Sequence, residues 1–181
     1  IAQADADIWI GTAAERLCRY VAYSAESIVA GLYEYWITYK LADDGALKDK
    51  TTYIPFPIPQ ANPVVSDREG LPIKIFVGIS KNRSQYKGTD IMLSAAERLR
   101  QEYPDRVELL VAEGVPFAQY QSMMDGSDVI LDQLYSYTPA MNALLAMSKG
   151  IICVGGGEPE HYDLLGEKEL RPILNVEPNE E

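Results

Sequence analysis

The stretch "DVILDQLYSYTPAMNALLAMSKGIICVGGG", Asp128 to Gly157, decides the fold. Two short apolar runs, "DVIL" and "IICVGGG", bracket a segment of helical length that opens on a Thr-Pro pair. Brief apolar runs of this kind read as strands buried on both faces, and a helix between two of them is the crossover that a parallel pair needs. The same rhythm extends in both directions. Strands are predicted at "PIKIFVGI" (72–79), "RVELLVAE" (106–113) and "RPILNVE" (171–177). Helices are predicted at "KGTDIMLSAAERLRQEYP" (87–104), with Ile91, Met92, Ala95 and Leu99 on one face, at "PFAQYQSMMDGS" (116–127) and at "PEHYDLLGE" (159–167). The expected fold is α/β: a Rossmann-like parallel sheet flanked by helices, preceded by a mostly helical N-terminal remnant.

The first fifty residues have a different texture. "TAAERLCRYVAY" spaces Ala14, Leu17, Cys18 and Val21 as one helical face, with Thr12 as N-cap and Glu15 three residues on. "SIVAGLYEYWITYKL" continues as helix or opens with a short buried strand, "SIVA". "ADDGALKDK" is a polar break and "TTYIPFPIP" is β-rich. "QANPVVSDREG" reads as a linker, so the domains are drawn as 1–64 and 65–181.

Bulk composition narrows the function. The 181 residues are 47% apolar, enough for one good core, and the net charge of −11 argues against a nucleic-acid partner. The two cysteines, Cys18 and Cys153, each lie in apolar sequence and read as reduced core thiols. With one histidine, His161, and no ligand spacing, no metal site is assigned. No apolar run is long enough to span a membrane, and no signal-peptide pattern is read. The chain starts without Met at "IAQADADIW" and stops at "NVEPNEE", and both ends are expected to be boundaries of a fragment.

Parallel α/β sheets bind ligands beyond the strand C-termini, so the loops to read are 78–89, 112–117, 132–140 and 154–160. Loop 78–89, "GISKNRSQYKGT", gathers Lys81, Arg83 and Lys87 after Gly78, a residue that lets backbone approach a ligand. Arg as a fork and Lys as a point charge suit a diphosphate, although a solvated basic turn has the same composition. In loop 132–140, Pro139 fits a first helical turn and Thr138 can cap it, which is an anion site or an ordinary capped helix. The opposite face of that helix, Met141, Leu144, Leu145 and Met147, is apolar and is expected to pack on the sheet. In 154–160, "VGGGEPE", the glycines permit a tight turn and close ligand approach, and Glu158 and Glu160 are either hydroxyl acceptors or solvated acids. Together the loops describe a nucleotide-sugar pocket. No catalytic residue is assigned.

These residues resemble the C-terminal, donor-binding domain of GT-B glycosyltransferases of the retaining family-4 (group 1) type. "FVGISKNRSQYKGTD" matches the strand, basic loop and Lys-Gly helix opening. "YQSMMDGSDVILDQ" and "LAMSKGIICVGGGEPE" follow in the family's order, and "IPFPI" (54–58) is similar to the interdomain segment. The resemblance covers roughly residues 26–175. It implies that Arg83 and Lys87 hold the donor diphosphate and that Val115 packs the base; Thr138, read above at the helix start, is expected to join the diphosphate site. It implies that residues 1–64 are the tail of an acceptor-binding domain and that closing helices after the last strand are missing. It further implies a nucleotide-sugar as substrate with no cofactor, and a glycan or lipid-linked acceptor in polysaccharide biosynthesis. The expected location is the cytoplasm or the inner face of the membrane, any peripheral membrane contact running through the missing part of the N-terminal domain. The family's paired acids, seven residues between them, fall here on Tyr137 and Leu145; Tyr137, Thr138 or Asn142 substitutes for the first. A nucleotide-sugar epimerase of the same architecture and a non-catalytic nucleotide-sugar-binding module are the alternatives.

Overall fold

The computed structural model describes residues 10–42, 45–58 and 70–178. The chain divides into two compact units, Ile1–Pro57 and Ile58–Glu181. The boundary expected at residue 64, like most of the linker around it, falls in 59–69, outside the described residues.

In the first unit, α1 (Ala13–Ser24) starts where the sequence indicates: Thr12 Oγ1 accepts the Glu15 N–H at 3.3 Å. "SIVA" resolves as a strand, β1 (Ile28–Ala30), which pairs in parallel with β2 (Thr51–Tyr53). The crossover carries α2 (Tyr33–Lys40) and, inside the expected polar break, the short α3 (Gly45–Asp49). Lys50 Nζ donates to the carbonyls of Tyr23 and Ala25, both at 2.9 Å, and so ties the end of α1 to the start of β2. The reading of Cys18 as a core thiol is overturned. Cys18 is exposed, as are Leu17 and Val21, because no residue of α1 is buried in the described structure.

The second unit is the predicted parallel sheet. Its strands are β3 (Ile73–Ile79), β4 (Val107–Glu113), β5 (Val129–Leu131), β6 (Ile152–Gly155) and β7 (Ile173–Asn175), in the spatial order β4-β3-β5-β6-β7. The helices are α4 (Ser84–Lys87), α5 (Thr89–Glu102), α6 (Phe117–Asp125), α7 (Met141–Ser148) and α8 (Pro159–Leu165). Two cores lie on opposite faces, as the period-2 alternation of a strand demands. Ile75 and Val77 pack with Ala96 of α5 on one face. Phe76, Ile130, Cys153 and Ile173 pack with Met124 of α6 and Ala143 and Ala146 of α7 on the other. Phe76 and Met124 are fully buried, each contributing roughly 1.5–3 kcal/mol.

Two helix faces differ from expectation. On α5, Thr89, Met92 and Ala96 are the buried residues, while Ile91, Ala95 and Leu99 are exposed beside an apolar groove of about 330 Å3. On α7, Ala143 and Ala146 face the sheet, where Met141, Leu144, Leu145 and Met147 were expected. Small side chains one turn apart let the helix backbone settle close to the strands. Leu145 and Met147 pack at the margin of that core, and Met141 is half exposed. Because α7 is apolar on most sides, periodicity could not say which face turns inward. Among the described residues no helix is long and apolar enough to cross a membrane.

Candidate functional site

From β3 the chain moves outward to β4, then crosses back past β3 to β5. The C-terminal ends of β3 and β5 therefore flank the point where the winding reverses, which is where a crevice opens in a doubly wound sheet. Loop 78–89 leaves one side of this point and loop 132–140 the other.

The basic loop is more ordered than its composition suggests. It contains the one-turn helix α4, whose N-cap is Arg83 and whose last residue is Lys87. Arg83 and Lys87, four residues apart, share one side of that turn. The Arg83 guanidinium stacks 5.5 Å from the centroid of the Tyr86 ring and is exposed. Gly88 ends α4 with φ +69°, and a Cβ there would lie 2.6 Å from Leu134 Cβ. The Lys87 carbonyl accepts the Leu134 N–H at 2.8 Å, which fastens the two loops together. Among the described residues neither Arg83 nor Lys87 takes part in an ion pair.

Loop 132–140 departs from the expected cap. The helix begins at Met141 with Ala140 as N-cap, two residues later than Pro139, and no side chain caps it. Thr138 is buried before the helix, its carbonyl accepting the Ser136 hydroxyl at 2.7 Å. The first-turn N–H groups of Met141, Asn142 and Ala143 precede the first intrahelical bond, from Leu144 to Ala140. Asn142 is half-buried in that turn and Tyr137 is exposed in the loop before it.

The glycines serve the chain's own packing. A Cβ on Gly78 would run into the hydroxyl of Tyr120, and one on Gly156 into the Ser136 carbonyl. The Gly156 N–H donates to the Gln133 carbonyl at 2.7 Å, the Glu158 N–H to the Tyr137 carbonyl at 3.3 Å, and the Gly157 N–H to Asn175 Oδ1 at 2.9 Å. Thus Gly156 and Glu158 join the end of β6 to loop 132–138, and Gly157 joins it to β7. Glu158 is the half-buried N-cap of α8, and Glu160 is exposed in its first turn. Val115 follows Gly114 (φ +63°) and packs its side chain on the core. Beside it a cleft of about 550 Å3 opens at the ends of β3 and β4, lined by Ile79, Ser80, Lys81, Glu113 and Gly114.

One group at the crevice was missed in the sequence. Val77 pairs with Leu131 and Leu131 with Val154, so the next residues, Gly78, Asp132 and Gly155, sit level at the sheet's C-terminal edge, on the α6–α7 face. Asp132 is thus flanked by two glycines. Burial pushes its carboxyl up to about 6, against the pull of the Lys87 ammonium and hydrogen bonds from Gln133. Tyr120, edge-on to Phe76 at 5.0 Å, is raised to about 12 by burial and then by Asp132. Burial, and then Asp132, also lift Cys153 to about 12. The available signal was an acid directly after the apolar run of a buried strand. A carboxylate, a phenol and an ammonium at one crevice can bind a ligand that carries both hydroxyls and negative charge.

No protein-family model matches this chain, and no curated protein sequence matches it.

Proposed function

We propose that the second unit binds the donor of a GT-B-type glycosyltransferase. The reaction transfers a sugar from a nucleotide-sugar to a glycan or lipid-linked acceptor, with retention, in cytoplasmic or membrane-surface polysaccharide biosynthesis. One observation carries the reading: the Lys87–Leu134 hydrogen bond brings the Arg83/Lys87 turn against the loop leading to α7, at the point where the sheet's winding reverses. Two features suited to a diphosphate, a cationic pair and a helix start, so serve one crevice. As the bond from the sugar to the diphosphate breaks and the acceptor oxygen takes its place, charge gathers on the departing diphosphate, whose oxygen takes up the proton that the acceptor hydroxyl gives up. Arg83, Lys87 and the first-turn N–H groups of α7 meet that charge, so catalysis here is positioning and electrostatic relief.

Isothermal titration with uridine and guanosine diphosphates tests the reading. Micromolar to millimolar binding that weakens in Arg83→Ala and Lys87→Ala supports it, and no binding of either nucleotide ends it. A second reading, a binding module without transfer, is favoured by the packing of Leu145 against the core, which leaves no acid at that position. Nucleotide-sugar binding with neither transfer nor hydrolysis distinguishes it. Release of the nucleotide with an epimerised sugar, and no transfer, points to the epimerase.

A further inference from the structure

An acid stands at the edge of the sheet where its winding reverses. Asp132 lies at the C-terminal edge of β5, level with Gly78 of β3 and Gly155 of β6. On the Gly78 side the space is taken by the Tyr120 ring, which its edge-on contact with Phe76 holds in place. On the Gly155 side a Cβ would lie 3.7 Å from Asp132 Cβ and 3.0 Å from the Gln133 carbonyl, so the backbone there is closely fitted. The Asp132 N–H is fixed by the Val154 carbonyl at 3.0 Å. The Asp132 backbone is therefore fixed, the residue is half-buried, and the Lys87 ammonium, on the loop that carries Arg83, acts on its carboxyl.

A carboxylate in that place does not suit phosphate, which it repels. It suits the polyol part of a ligand whose phosphates lie nearer Lys87 and Arg83. We infer that Asp132 is the hydrogen-bond acceptor for a hydroxyl of the bound ligand. The inference rests on the nucleotide-sugar reading above. The donating hydroxyl belongs to the ribose of the nucleotide or to the sugar it carries; both are alcohol donors to one carboxylate oxygen. Burial of the carboxyl and its raised proton affinity agree with a partner-seeking acid, since an added hydroxyl donor would relieve part of the cost of keeping it charged.

The test compares wild type and Asp132→Asn by isothermal titration against four probes: inorganic pyrophosphate, uridine diphosphate, its 2′,3′-dideoxy analogue and uridine diphosphate glucose, with the guanosine series run in parallel. Asn keeps the shape and removes the charge, and pyrophosphate affinity together with thermal unfolding reports that the variant is folded. The expected result is unchanged pyrophosphate binding with a loss of about tenfold to a hundredfold for the hydroxyl-bearing ligand. If the loss is already present for uridine diphosphate and absent for the dideoxy analogue, the ribose is the donor. If it appears only for the nucleotide-sugar, the sugar is. Equal affinities of wild type and variant for all probes overturn the inference while leaving the nucleotide reading in place. So does a matching loss for pyrophosphate, which would mark a general electrostatic or structural effect. Failure of wild type to bind any nucleotide removes both.

Discussion

The carbonyl of Lys87 accepts the backbone N–H of Leu134 at 2.8 Å, so the turn that follows β3 is fastened to the loop that follows β5. The bond uses main-chain atoms and leaves the Lys87 ammonium to the crevice. Replacing the Lys87 side chain should therefore change binding without unfastening the loops. Lys87→Ala is expected to weaken nucleoside diphosphate binding by about 1.5–3 kcal/mol, the scale of a charge-assisted hydrogen bond, with little change in unfolding midpoint. Titration calorimetry beside a thermal melt separates the two effects; equal loss in both would show that Lys87 is structural.

The same junction depends on Gly88. Its φ of +69° costs an L-residue about 1–2 kcal/mol, and an added Cβ would press on Leu134 at 2.6 Å. Gly114 shares the left-handed geometry, with φ +63°, but nothing lies within 4 Å of its Cβ position. Gly88→Ala should therefore destabilise the protein by more than Gly114→Ala. Chemical denaturation of the two variants checks the order, and equal losses would show that the loops give way at no cost.

Asp132 makes stability depend on pH with a definite sign. Its carboxyl holds a proton more tightly folded, at about 6, than at its ordinary 3.8. The folded state therefore binds more protons between those values, and stability falls as pH rises through this window. Lys87 from α4, Tyr120 from α6 and Cys153 from β6 face the group, and Tyr120 and Cys153 at about 12 stay neutral throughout. Asp132→Asn should flatten the fall between about pH 4 and pH 7 and should be the more stable protein at pH 7. Urea melts across that range decide it, and a wild-type slope kept by the variant would assign the titration elsewhere.

The cysteines should differ sharply in reactivity. Cys153 is buried with its thiol raised to about 12, whereas Cys18 is exposed on α1. At pH 8 a thiol reagent should label Cys18 quickly and Cys153 only after denaturation. Cys18→Ala should abolish the fast phase. Fast labelling of Cys153 in the folded protein would contradict its placement between β5 and β7.

The sequence by itself determined the elements that local pattern controls. Five apolar runs alternating with helices required a parallel α/β sheet, and Thr12 before "AAERL" announced the start of α1. The turn α4 escaped notice because Ser84–Lys87 carries no apolar face, and the start of α7 was displaced because Pro139 is equally at home just before a helix. What only the tertiary structure decided is who occupies the space beside each residue. Gly78 and Gly156 are small because Tyr120 and Ser136, remote in the chain, fill the volumes that their side chains would take. Ala143 and Ala146 face the sheet because α7 must approach it closely, a choice its all-round apolar pattern left undecided. Asp132 became a site candidate only when folding buried it near Lys87, since the proton affinity of a carboxyl is set by the dielectric and charges around it, and strand order, not chain order, supplies those.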